Sequence, residues 1–153
     1  MLQGALEDKS VLDLFSGTGA LGFEALSQGA ARVTFVEMQR AQCDKIKESL
    51  IHLGLTDRAE VANLDAVAAV GSFARRGDVF DLIFLDPPYE KGLAARTLLE
   101  ISRASLLDAR GWVVLECGKR DELPAEVGAL KKAKRKNYGD TTILFYQFDK
   151  EGG

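Results

Sequence analysis

The sequence predicts an α/β protein whose doubly wound sheet is mostly parallel and ends in an antiparallel hairpin. Up to Glu116, apolar strand-like runs alternate with helix-like segments, and the runs are apolar on both faces, as in a parallel sheet covered by helices. A glycine-rich turn follows the first run. The alternation then stops, and residues 129–137 and 141–148 form two strand-like runs joined by Tyr138-Gly139-Asp140, a pattern typical of a hairpin.

The elements of the alternating part follow from periodicity and from glycines that end helices. Gly29 and Gly54 stand where the first two helices should stop. We expect strands at residues 10–15, 33–36, 59–62, 80–85 and 111–116, and helices at residues 19–28, 40–53, 65–73 and 93–103.

Length and composition fit one domain over residues 1–153, because 46% hydrophobic residues allow a full core. The chain has no apolar run of about 18 residues, and residues 1–8 lack the features of a signal peptide. We therefore expect a cytoplasmic protein with no membrane partner. We also expect it to be a monomer. The last three residues, 151–153, suggest a frayed tail.

The cysteines and the histidine give no sign of a disulfide or a metal site. Cys43 and Cys117 belong to no Cys-x-x-Cys pattern, so we expect reduced, mostly buried thiols, Cys43 in a helix and Cys117 just past a strand. His52, in the second helix, lies away from the motifs described below. We predict no bound metal and no catalytic histidine.

The most informative motif is Asp86-Pro87-Pro88-Tyr89, which directly follows the fourth strand. The Asp86 carboxylate and the Pro87 carbonyl can both accept hydrogens from an amino group of a nucleobase. The two prolines restrict the backbone that aims these acceptors, and Tyr89 offers a face for base stacking. A plain Pro-Pro turn capping a strand is the alternative interpretation.

A second motif, Ser16-Gly17-Thr18-Gly19-Ala20-Leu21-Gly22, turns the first strand into a helix. Its spacing satisfies the dinucleotide pattern Gly-x-Gly-x-x-Gly, and Glu37 ends the second strand at the position that binds a ribose in Rossmann-type sites. NAD and S-adenosylmethionine both contain such a ribose. Asp13 and the Asp86 motif favour S-adenosylmethionine, since a dehydrogenase has no evident use for either.

Residues 11–22, 35–37, 81–89 and 138–141 together resemble the class I S-adenosylmethionine-dependent methyltransferases. Within that class they resemble the bacterial 16S ribosomal RNA guanine-N2 methyltransferases that modify guanine 966. The resemblance implies a Rossmann-like seven-stranded sheet of order 3-2-1-4-5-7-6 and transfer to the N2 amine of a guanine. It also implies S-adenosyl-L-methionine as methyl donor, S-adenosyl-L-homocysteine as product, and 16S ribosomal RNA as partner, free or in an assembling small ribosomal subunit.

The same resemblance implies roles for individual residues. The donor contacts would be Asp13, Phe15, Ser16, Gly17, Thr18, Gly19, Glu37, Met38, Asp65, Ala66 and Asp86, and the catalytic residues Asp86, Pro87, Pro88 and Tyr89. Members of the family usually begin with a basic arm that helps to bind donor and RNA, whereas this chain begins close to the glycine loop. An adenine-N6 methyltransferase and a donor-binding or NAD-binding module without activity stay open as alternatives.

Net charge gives no general support for an RNA partner, since the formal charge is −3 at pH 7. RNA binding needs local clusters of cations, of which two exist: Arg75-Arg76 at the end of the third helix, and residues 131–136 in the hairpin. Lysines on an edge strand that discourage aggregation are the alternative interpretation of the hairpin cluster. Tyr138 could line an RNA surface or fill the turn, and Glu116, without a partner in the sequence, is interpreted as structural.

Overall fold

A sheet covered by helices forms the centre of the computed structural model, which describes residues 6–90, 92–119 and 121–149. Within those residues the strands are β1 (Ser10–Asp13), β2 (Arg32–Val36), β3 (Ala59–Ala62), β4 (Phe80–Leu85), β5 (Leu107–Gly118), β6 (Glu126–Val127), β7 (Leu130–Tyr138) and β8 (Thr141–Phe148). The helices are α1 (Ala20–Ser27), α2 (Arg40–Leu53), α3 (Ala66–Arg76) and α4 (Leu93–Arg103), with one 3-10 turn at Thr56–Arg58.

The eight strands of the described residues form one sheet in the order β3-β2-β1-β4-β5-β8-β7-β6. β1 to β5 pair in parallel, and β6, β7 and β8 add antiparallel pairs. The predicted order is confirmed, because the predicted sixth and seventh strands are β7 and β8. The prediction of seven strands is one too few, since β6 pairs only two residues and is too short to produce a period.

Several helix and strand boundaries differ from the prediction, and the ends of β1 and α3 differ by two residues or more. The first strand leaves its ladder after Asp13, two residues early, because the chain there enters the glycine loop. Helix α3 continues to Arg76, past the predicted end at residue 73, and stops where Gly77 adopts the left-handed conformation, φ +82°.

The fifth strand is longer than predicted and contains Cys117, which was expected to lie past it. Its pairing with β4 shifts register between Phe80 and Leu82, an irregularity that hides the first part of the strand from a periodicity argument. Cys43 is buried in α2, Cys117 is half-buried, and both are free thiols, as expected.

The core has one layer on each face of the sheet. Val11 and Leu12 are adjacent in β1 and both fully buried, yet they pack in different clusters. One cluster contains residues of α3 and α4, and the other contains residues of α1 and α2. Strands that are buried on both faces are apolar throughout, which explains the continuous apolar runs in the sequence.

None of the helices in the described part of the chain is long and apolar enough to cross a membrane. The expected frayed tail, residues 151–153, lies outside the described residues. A single domain over residues 1–153 stays a prediction.

Candidate active site

The two sequence motifs start side by side at the carboxyl edge of the sheet. β1 pairs in parallel with β2 on one side and with β4 on the other, so the strand order reverses at β1. Beyond the ladder, the Leu14 N–H still donates to the Phe84 carbonyl, at 3.2 Å. Open α/β sheets bind ligands at such a reversal, outside the carboxyl ends of the strands.

The glycine loop after β1 is held by its own backbone. Gly17 and Gly19 have φ values of +54° and +86°, in the left-handed region that favours glycine. The Ser16 N–H donates to the Val36 carbonyl at 2.9 Å, and the Gly19 N–H donates back to the Ser16 carbonyl at 2.7 Å. Thr18 is exposed at the tip of the loop. The loop therefore places backbone at the sheet edge with few side chains in the way.

The third glycine of the motif decides how closely α1 approaches the sheet. A Cβ built on Gly22 would lie 2.2 Å from the Phe35 ring, a distance that real side chains do not reach. Phe35 is fully buried in β2 and packs against Phe23 of α1, with 5.2 Å between the ring centroids. Gly22 is thus required by packing, and no ligand need be invoked for it.

Glu37 follows β2 and has both carboxylate oxygens hydrogen-bonded to backbone. Its Oε1 accepts from the Gly17 N–H at 2.9 Å and its Oε2 from the Gln39 N–H at 2.7 Å. Asn63 supports this corner by donating through Nδ2 to the carbonyls of Glu37, at 3.0 Å, and of Met38, at 2.9 Å. Sequence reasoning missed Asn63, and its only signal was its position just after β3.

Asp13 is the most unusual titratable group of the site. Its side chain is 1% exposed, and neither carboxylate oxygen has a hydrogen-bond partner among the described residues. The pKa of Asp13 is raised from 3.8 to about 7, chiefly by burial and also by the charges of Asp86 and Glu37, while the nearby Ser16 side chain and Gly22 N–H act in the opposite direction. A buried carboxylate without a partner is suited to meet a cation.

The other predicted donor contacts take different positions around this corner. Asp65 is exposed and caps α3, accepting from the Ala68 N–H at 3.1 Å, while Ala66 is buried. Met38 is 68% exposed, and Phe15 is half-buried against the core. The structure brings the predicted residues to one edge of the sheet, on the ends of β1, β2, β3 and β4.

Asp86 follows β4 at a cavity of about 590 Å³ that lies between the start of α4 and the end of β5. Pro87 is half-buried, whereas Asp86 and Pro88 are exposed and Tyr89 is 90% exposed, so the ring of Tyr89 is free to meet a ligand. The cavity is lined by Asp86, Pro87, Pro88, Tyr89, the start of α4, the end of β5, the loop after it and Thr141.

Glu116 lines the same cavity and faces Asp86. The sequence analysis interpreted Glu116 as structural and did not predict this position. Burial raises the pKa of Glu116, and so does its interaction with the neighbouring Asp86. The available signal was register: Leu85 pairs with Leu115 in parallel strands, so the residues that follow them are neighbours. The sequence alone did not reveal that pairing.

The two predicted cation clusters lie in different environments. Arg76 donates to Glu60 in a bidentate pair, at 2.9 Å for each bond, and to Asp78 at 2.6 Å, and these interactions raise its pKa. Arg76 and its two acidic partners lie around the end of α3 and the starts of β3 and β4, at the amino edge of the sheet. Arg76 is therefore far from the candidate site, which lies at the carboxyl edge. His52 lies in the last turn of α2, also at the amino edge.

The hairpin cluster lies on β7, whose outer side is covered by β6 only at Leu130 and Lys131. The Nζ atoms of Lys134 and Lys136 lie 5.4 and 5.8 Å from the centroid of the Phe145 ring. This position fits the edge-strand interpretation, and contact with RNA stays a prediction. The turn between β7 and β8 adjoins the end of β5, so the exposed Tyr138 lies at the carboxyl edge of the sheet.

Comparison with known proteins gives matches over almost the whole chain. A family model described as "Conserved hypothetical protein 95" matches residues 1–147. "Putative rRNA methyltransferase YlbH" of Bacillus subtilis is 38% identical over 136 residues, which are 89% of this chain and 74% of that protein. "Ribosomal RNA small subunit methyltransferase D" of Escherichia coli is 31% identical over 157 aligned positions, covering 99% of this chain and 74% of that protein.

A solved structure of a conserved hypothetical protein from Streptococcus pyogenes has the same fold. It superposes with a TM-score of 0.85 at 31% sequence identity, and the match covers 96% of this chain and 90% of that one.

Proposed function

The chain belongs to the family described as Conserved hypothetical protein 95, and from this membership we propose that it methylates ribosomal RNA. The methyl group would pass from S-adenosyl-L-methionine to the exocyclic N2 amine of a guanine in 16S ribosomal RNA. The observation that carries the proposal is that the glycine loop and Asp86-Pro87-Pro88-Tyr89 follow two neighbouring parallel strands, β1 and β4, at one edge of the sheet. The names of the two relatives support ribosomal RNA as the substrate class.

The residues around the glycine loop fit the proposed donor. Glu37, which already accepts from the Gly17 N–H, would also accept hydrogens from ribose hydroxyls. The buried Asp13 carboxyl, whose oxygens accept no hydrogen bond from the described residues, would suit a donor that carries positive charge. Asp65 would accept from the adenine amine, beside Phe15, Met38 and Ala66. Ser16, Gly17, Thr18 and Gly19 would face the methionine part.

The bound donor supplies an electrophilic methyl group on a sulfonium, and the protein's own residues prepare the acceptor. Asp86 and the Pro87 carbonyl accept the two hydrogens of the amine and turn its lone pair toward the methyl, while Pro88 restricts the backbone and Tyr89 stacks on the base. As the N–C bond forms, the S–C bond breaks with its electrons left on sulfur. The nitrogen then loses one proton to water. This route uses no metal and no covalent enzyme intermediate.

The cations of β7, the strand that pairs with β8, would provide the electrostatic contact with RNA. The cavity itself is lined by several carboxyl groups, so phosphates would be held outside it, along the hairpin and the exposed Tyr138. The small ribosomal subunit during assembly is a proposed form of the substrate.

Calorimetric titration with S-adenosyl-L-homocysteine tests the donor site first. We expect saturable binding, with no binding of NADH. Unmethylated 16S RNA, free and in small subunits, is then incubated with donor and digested to nucleosides. N2-methylguanosine is the expected product. N6-methyladenosine would instead establish the adenine alternative, and donor binding without any methylated nucleoside would favour a binding module.

A further inference from the structure

Asp86 directly follows β4, and Glu116 occupies the equivalent position of the neighbouring parallel strand β5. Leu85 of β4 pairs with Leu115 of β5, and both leucines are buried in the same core cluster. The residues that follow these leucines are therefore neighbours, with backbones about 5 Å apart, the spacing of adjacent strands. Both acids line the cavity beyond β4 and β5.

No cation among residues 6–90, 92–119 and 121–149 forms an ion pair with Asp86 or Glu116. Two adjacent carboxyl groups repel each other when both are ionised, and a shared proton relieves that repulsion. Burial and the neighbouring Asp86 accordingly raise the pKa of Glu116. A ligand that brings two adjacent hydrogen-bond donors would relieve the same repulsion.

Guanine has such an edge, since its N1–H lies next to its N2 amine. An ionised carboxylate accepts hydrogen bonds and donates none, so two neighbouring carboxylates match two neighbouring donors. Adenine differs at this point, because the ring nitrogen beside its N6 amine is an acceptor and would face a carboxylate lone pair.

We propose that Glu116 is a specificity-determining residue that accepts the N1–H of the target guanine while Asp86 and the Pro87 carbonyl hold its N2 amine. The proposal rests on the proposed function and deepens it, because it gives a reason for guanine in place of adenine that the Asp-Pro-Pro-Tyr motif does not contain. Sites that hydrogen-bond a substrate N–H reject analogues that lack it, since a buried polar group is then left unpaired.

The test compares RNA carrying guanine with RNA carrying 2-aminopurine at the target position. 2-Aminopurine keeps the N2 amine but has no N1–H, and its N1 is an acceptor. The wild-type protein should prefer guanine in kcat/KM by at least about tenfold, the lower range of a specific base contact. In Glu116→Gln the amide can donate to N1 of 2-aminopurine, so the preference should shrink by about 10- to 100-fold.

Two further variants separate this role from a structural one. Glu116→Asp keeps a carboxylate and should retain the guanine preference at a lower rate, and Glu48→Gln, an exposed change on α2, should leave the preference at the wild-type value. Titration with S-adenosyl-L-homocysteine verifies that each variant is folded. The measured quantity is the ratio of kcat/KM for guanine to kcat/KM for 2-aminopurine. A general loss of stability lowers both values and leaves their ratio unchanged.

The outcomes distinguish the inference from the function on which it rests. If the wild-type protein makes N2-methylguanosine but Glu116→Gln lowers kcat/KM equally for both bases, Glu116 does not read N1–H and the inference is overturned alone. If the wild-type protein makes no N2-methylguanosine, the proposed function is overturned and the inference with it.

Discussion

The Gly17 N–H donates a 2.9 Å hydrogen bond to Oε1 of Glu37, and this bond joins the loop after β1 to the acid after β2. The second carboxylate oxygen is held by the Gln39 N–H at the start of α2. Both oxygens keep lone pairs for further donors, since a carboxylate offers about four acceptor positions. The same side chain can therefore shape the glycine loop and bind a ligand.

Replacing Glu37 should weaken donor binding. Glu37→Ala removes the ribose acceptor together with the bond to Gly17, and losses of one to two charge-assisted hydrogen bonds predict about 10- to 100-fold lower affinity for S-adenosyl-L-homocysteine. Calorimetry measures the change. Glu48→Ala, an exposed carboxylate on α2, serves as control. Unchanged affinity in Glu37→Ala would remove this residue from the donor site.

Asp86→Ala should abolish methyl transfer and leave donor binding largely intact. The amine would lose one of its two acceptors, and misplacement of a reacting group costs on the order of 100-fold or more in rate. Single-turnover rates on 16S RNA give the first quantity and calorimetry the second. Asp57→Ala, at the opposite edge of the sheet, controls for the loss of one acid. Full activity in Asp86→Ala would refute the assigned role.

Asp13 should make stability depend on pH. Its pKa is about 7 in the folded protein and 3.8 when unperturbed, so the unfolded chain loses this proton first and stability falls as pH rises from about 4 to about 7. At about 1.4 kcal/mol per pKa unit the loss is on the order of 4 kcal/mol.

Asp13→Asn, which resembles the protonated acid, should remove that loss. Its unfolding free energy relative to wild type should rise by several kcal/mol between about pH 4 and about pH 8, as measured by urea denaturation. Asp57→Asn, an exposed change, provides the comparison. A constant difference between Asp13→Asn and wild type over that range would show that Asp13 is not desolvated.

Gly22→Ala should destabilise the fold because the new Cβ would enter the Phe35 ring, at 2.2 Å. Overpacking of a core typically costs about 1–3 kcal/mol. Gly71→Ala in α3 is the matched control, since its Cβ would meet only the tip of the flexible Arg75 side chain, at 3.3 Å. That variant should be stabilised by up to about 1 kcal/mol. Thermal denaturation of both variants makes the comparison, and equal effects would contradict the packing argument.

Tyr89→Ala should lower kcat/KM on RNA without changing donor affinity. The ring is 90% exposed beside Asp86, and base stacking contributes about 1–3 kcal/mol, or roughly 5- to 150-fold. Tyr89→Phe keeps the aromatic face and should stay close to wild type. Loss of activity in Tyr89→Phe equal to that in Tyr89→Ala would assign the effect to the hydroxyl instead of stacking.

Local sequence signals predicted most of the fold. Helix α2, Arg40–Leu53, and strand β4, Phe80–Leu85, lie where glycines and apolar periodicity placed them, because a helix end and a buried strand depend on neighbouring residues. The two-residue strand β6 escaped prediction. This strand forms because its two residues pair with Leu130 and Lys131 of β7, and the local sequence of β6 does not indicate that pairing.

The sequence by itself determined which side chains carry the candidate chemistry: the glycine loop, Glu37 and Asp86-Pro87-Pro88-Tyr89 are recognisable from residue type and spacing. Only the tertiary structure decided which groups touch. It left Asp13 without a hydrogen-bond partner among the described residues, paired Arg76 with Glu60 at the far edge, and set Glu116 against Asp86. The physical reason is that burial and charge proximity arise from strand register and layer packing between residues far apart in the chain.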